Sequence, residues 1–316
     1  MLDKKGEEPL LSLLLLKKIA SLFIILFIGV LIVRLKLLKA EDSKPLSAVV
    51  AYILNPCVLI ASLQREQTVS VLKGLAFNIG AALLVTLVFI GTTRLLTKPL
   101  RLSPVERMSL IYPNVGNLII PLVTSVLGEE YVVYTLGYFI VQHAFIWTHM
   151  VNGLNAGAPV QLKKLFLNPN ILAIIAGLAL FLAKIQLPGI VSDAISSLGD
   201  MLGPLAMLII GMVIGGMDLK KTFSDKRVWL VALGRVVALP LIILLLFKYS
   251  GLKTLLPNGE TLLLIVLLAA AAPSANMVTS LAQLYGEDAQ RASAIGVVTQ
   301  ILCIATMPLT VLLYQL

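Results

Sequence analysis

Charge is what this sequence has least of. Only 13% of its 316 residues are Asp, Glu, Lys or Arg, 59% are hydrophobic, and the mean hydropathy is +0.98. A soluble domain carries about a quarter charged residues, so a chain this poor in charge has lipid for its surroundings. No polar stretch is long enough to fold as a separate soluble domain. Cysteine is scarce too: Cys57 and Cys303 each sit in an apolar run and read as small hydrophobes, which excludes a disulfide framework or a metal cluster. There is no Gly-rich phosphate loop ending in Lys-Ser or Lys-Thr, so nucleotide does not drive this protein. There is also no His-Glu-x-x-His pair, and Asp200 has no second aspartate deep in another span, so intramembrane catalysis is not expected. The net charge of +9 is spread through short loops rather than gathered in a patch. That pattern belongs to membrane topology and excludes nucleic acid as a partner.

What is present is apolar sequence of membrane length. The hydrophobic pattern predicts an all-α membrane protein with ten transmembrane spans, at about 17–38, 45–63, 71–96, 104–127, 129–152, 168–187, 190–217, 227–249, 260–284 and 287–315. Residues 1–16 mix charge with leucine and read as an interfacial lead-in, with no cleavage site following. Lys and Arg are more frequent in loops after odd-numbered spans, among them Arg34, Lys39, Arg94, Lys98, Lys164 and Arg227. That bias places both termini outside a cell membrane.

An internal repeat accompanies the ten spans. Gly128, Gln142 and Thr148 in the first half correspond to Gly286, Gln300 and Thr306 in the second, each pair 158 residues apart. The chain therefore reads as two five-helix repeats, and because five is odd the second enters the membrane inverted.

The centre of each half is where the pattern fails. IYPNVGNLIIPL (Ile111 to Leu122) carries Pro113, Asn114, Gly116, Asn117 and Pro121; AAAAPSANMVT (Ala269 to Thr279) carries Pro273, Ser274 and Asn276. Proline removes a backbone donor and clashes with the preceding turn, so neither span is expected to run unbroken. Interrupted spans at corresponding places in inverted halves point to a transporter's binding site, with the breaks crossing near the midplane. Asn114, Gly116, Asn117, Ser274 and Asn276 are the candidate substrate contacts, with Pro113, Pro121 and Pro273 as helix breakers. Gln142 and Gln300 either line the site or join helices. Arg235 is a lone basic residue deep in span eight. It reads either as a counter-charge for a carboxylate or as a side chain snorkelling to the headgroups. Asp200 reads as a helix-end or water-facing carboxylate, and His143 and His149 as packing or interhelical hydrogen-bonding residues. Gly211 and Gly215 form a small-xxx-small face for another scaffold helix or a second protomer.

These two stretches, YPNVGNLIIPLV and APSANMVTSLAQLYGEDAQRAS, and the five-plus-five layout resemble the auxin efflux carrier family, with its malate-permease-like carriers and PIN exporters. The resemblance implies a fold like that of the bile-acid sodium symporters. It implies a scaffold domain (1–63 and 168–217) and a transport domain (71–152 and 227–316) that slides against it, elevator fashion. It also implies Pro113 and Pro273 at the crossover, Asn117 and Asn276 facing substrate, and a homodimer formed through the scaffold. The long loop between halves of many plant members is absent, with only about 153–167 in its place, and span three lacks their charged support residues. The expected substrate is therefore a small mono- or dicarboxylate rather than auxin. No cofactor is expected, though H+ or Na+ coupling remains open. The alternatives are a sodium-coupled symporter of a larger organic anion and a membrane sensor that binds the anion without moving it.

Overall fold

The computed structural model describes residues 8–66, 68–155, 163 and 166–316, and among these the chain is helices and connecting turns with no strand. In chain order the helices are α1 (Glu8–Arg34), α2 (Ala40–Ala61), α3 (Val69–Leu100), α4a (Pro104–Ile111), α4b (115–126) and α5 (132–154). They continue with α6 (Pro169–Leu182), α7 (Gly189–Gly215), α8 (Lys226–Tyr249), α9a (Gly259–Ala271), α9b (Asn276–Tyr285) and α10 (Ala289–Gln315).

Five of these, α2, α3, α7, α8 and α10, are each long and apolar enough to cross a membrane, while Ala20–Arg34, α6 and α9a are shorter apolar helices. Expected spans four and nine are not single helices: they are split at Pro113 and at Pro273, whereas Pro121, expected as a further helix breaker, lies inside α4b, where a π turn absorbs it without a break. Residues 8–16, expected as an interfacial lead-in, are helical and continuous with the first span within α1. Residues 1–7, Lys164 and most of the expected link at 153–167 lie outside the described residues.

Proline shapes the unbroken helices as well. Residues 50–54, 115–119, 146–150 and 234–238 form π turns, and three of these end two residues before Pro56, Pro121 and Pro240. A proline ring crowds the carbonyl four residues back and offers it no N–H. A turn widened to i→i+5 relieves that crowding without ending the helix.

Two groups of helices result. In one, α1 lies against the second half of α7, and α2 packs on α6 and α7. The α1–α7 contact requires glycine: a Cβ at Gly211 would lie 1.9 Å from the Leu26 carbonyl oxygen, and one at Gly29 would lie 2.3 Å from that of Leu208. Gly215 meets the Val30 carbonyl in the same way, so the small-residue face of α7 is spent on α1 of its own chain. In the other group α3 packs on α5, where a Cβ at Gly137 would lie 2.8 Å from the Ile79 backbone nitrogen, and α8, α9a and α10 join them. The groups touch where α1 meets α10 and where α1 and α7 meet α4b. Ile24, Phe27, Leu87, Leu95, Ile175 and Leu245 are exposed on the outside. An apolar exterior over so hydrophobic a chain is a lipid-facing surface.

Candidate functional site

The two breaks meet. Tyr112 and Ala272 each precede a proline, which disfavours the helical region for them, and both are extended (φ −101°, ψ 115° and φ −62°, ψ 152°). The extended segments pair antiparallel at Pro113 and Ser274. The Asn114 N–H donates to the Pro273 carbonyl at 2.8 Å, and the Ala275 N–H to the Tyr112 carbonyl at 2.9 Å.

A helix that stops in a dry interior leaves carbonyls without donors, and each must find one. Here side chains from neighbouring helices supply them. The Arg235 guanidinium, wholly buried, donates to Leu110 at the end of α4a (3.0 Å) and to Ala270 (2.9 Å) and Ala272 (3.1 Å) at the end of α9a. The Cys303 thiol lies 3.6 Å from the Ala271 carbonyl, and the Gln142 amide donates to that of Pro113. The Ser274 N–H donates to the Thr299 hydroxyl at 3.1 Å. Arg235 thus does not reach toward a surface, and its charge lies under both breaks, 5.1 Å from the Phe89 ring centroid.

Other polar atoms here have no partner among the described residues. They are the Asn114 amide nitrogen, the Ser274 hydroxyl and the Gln300 amide nitrogen, all buried. The Asn55 side-chain oxygen of α2 is another. Asn55 faces Gly116, where an added Cβ would lie 3.7 Å from the Asn55 amide nitrogen and 3.3 Å from the Phe139 ring. Asn276 is exposed in the first turn of α9b. The Asn117 side chain lies outside the described residues. Gln142 and Gln300, matched in the repeat, differ here: the first is bonded to a break and the second is not. His149 bonds the Tyr112 hydroxyl (2.8 Å), and His143 stacks on Phe139 with its Nδ1 3.0 Å from that residue's carbonyl oxygen.

Sequence reasoning passed over Glu106. It caps α4a reciprocally with Ser103, and its fully buried carboxylate takes Arg227 at 2.6 Å and Arg291 at 3.0 Å. Arg227 also donates to the Leu100 and Arg101 carbonyls, and Arg291 pairs with Asp288 and Asp225. The starts of α4a, α8 and α10 are thereby clasped at one end of the second helix group. The signal was available in Ser103-Pro-Val-Glu106, a capping-box pattern ahead of an apolar run.

At the other end a cavity of about 870 Å³ opens between α1, α2 and α7 on one side and α4b on the other. Ile120, Pro121 and Thr124 of α4b line it, facing Ser21, Val58, Ser62, Ser196 and Gly203. Glu66, Glu129, Glu130 and Asp200 also line it, against one guanidinium among the described residues, that of Arg65, which donates to the Glu130 carbonyl.

Paired helix breaks with buried polar atoms, inside an apolar multi-pass protein, are the arrangement of a membrane transporter. Family comparison gives the particular family. The model for the family described as membrane transport protein matches residues 14–158 and again 154–311, and the chain belongs to that family, the auxin efflux-like family that the two broken stretches resemble. No curated protein matches the chain.

Proposed function

We propose that this transporter is a secondary carrier of a small organic anion, a mono- or dicarboxylate, bound where the two breaks pair. The observation that carries this reading is the Pro113–Ser274 pairing with buried neutral donors on it. Among the described residues the Asn114 amide nitrogen is a donor without an acceptor, and α9b presents its N-terminal end at Asn276 with no side-chain cap. Both favour negative charge. Ten crossings as inverted halves, with the breaks near the membrane midplane, fit this arrangement. The first helix group is the scaffold and the second the transport domain. The cavity along α4b is the path by which substrate reaches the breaks from the outer face. Sliding of the second group against the first alternates access, and a homodimer would form through the scaffold.

The acidic mouth favours one refinement. Four carboxylates against one guanidinium repel a lone anion and concentrate cations, so H+ or Na+ enters with the substrate. A thermal-shift screen of mono- and dicarboxylates on purified protein tests the binding claim. One carboxylate should raise the melting point of the wild type and not that of Asn114→Ala. Equal stabilisation of both would remove the breaks as the binding site.

A further inference from the structure

We propose that Arg235 is a tethered cation, filling a cation site that the ends of α4a and α9a would otherwise leave open. Three carbonyl oxygens converge on its guanidinium at 2.9–3.1 Å, one from α4a and two from α9a. A ring of backbone carbonyls at a helix end is how proteins coordinate alkali cations in membranes. The charge balance is telling. No carboxylate pairs with Arg235 among the described residues. Yet a wholly buried cation needs an opposite charge. Each helix C-terminus carries the equivalent of roughly −0.5 charge, and two of them match one guanidinium. Arg235 is thus the counter-ion of the two helix dipoles rather than of the substrate.

Two consequences follow. The breaks stay together without a bound metal ion, so any coupling cation acts elsewhere in the protein. And an arginine removed from this place leaves a vacancy with the right donors and field for a small cation. The inference does not depend on which substrate is carried.

The test is the melting point of purified wild type, Arg235→Ala and Arg235→Lys in choline, sodium or millimolar guanidinium chloride. Wild type should be indifferent to the salt. Arg235→Ala should melt well below wild type in choline and recover several degrees in guanidinium or sodium, while Arg235→Lys, which keeps the charge, should stay near wild type in all three. Where Arg235→Ala is too unstable to purify or is not rescued, Arg235→Lys decides. A folded Lys variant upholds the charge requirement, and a Lys variant as damaged as Ala overturns it. Arg235→Ala as stable as wild type in choline would overturn it too. A guanidinium that served the substrate would predict unaltered melting points and weakened carboxylate binding in both variants, so this failure is distinguishable from failure of the carrier reading.

Discussion

The two breaks are made of the same residue types but are held differently. At the second, the carbonyls of Ala270, Ala271 and Ala272 are taken by Arg235 and Cys303, and the Ser274 N–H is taken by Thr299, all from α8 and α10. At the first, Gln142 of α5 and Arg235 take one carbonyl each, and the chain then runs through a π turn whose Gly116 faces Asn55 of α2. The second break is bound wholly within its own helix group, whereas the first reaches across to the other. From that difference we expect the second break to be the fixed member of the pair and the first the adaptable one. The adaptable member is the one whose helix, α4b, lines the cavity.

The comparison can be broken most severely at the clasp behind the first break. Glu106→Gln removes the buried charge that caps α4a and holds two guanidinium groups, each about a third exposed, and should cost about 2 kcal/mol, the size of hydrogen bonds to a charged group. Chemical or thermal unfolding in detergent measures it; a loss near zero would mean that α4a is held by its packing alone. Next, Gln142→Leu strands the Pro113 carbonyl at a cost of about 2 kcal/mol. Because this break is the adaptable one, carboxylate uptake should fall by a larger factor than the melting point suggests. Thr299→Val removes the acceptor of the Ser274 N–H and should cost about 1 kcal/mol. It should lower stability while leaving uptake nearly intact. Uptake losses in the reverse order would exchange the roles of the two breaks.

Much of this arrangement was legible in residues. Pro113 and Pro273 announced both breaks, since a missing N–H inside an apolar run has few other outcomes. Gly128 and Gly286, matched in the repeat, both take positive φ (108° and 74°) in the turns that follow the broken spans. What escaped was what depends on long-range packing. Arg235 read as a substrate counter-charge or a snorkelling side chain because sequence shows its depth and not the three carbonyls around it. The small-residue face at Gly211 and Gly215 gave no hint of whether its partner was α1 or a second protomer. Glu106 went unremarked, because only the arrival of Arg227 and Arg291 from distant helices makes it a buried clasp. The number of crossings is not read from helix length alone, since five helices are long enough to span unbroken while spans four and nine are each made of two shorter helices.

The most direct test is uptake of a labelled carboxylate, malate or lactate, into proteoliposomes carrying wild type or Asn276→Ala. Uptake by the wild type should be saturable and should be lost in the variant, with the variant's melting point unchanged. Uptake of equal rate by both would contradict binding at the paired breaks, because substrate would then cross the membrane without using them.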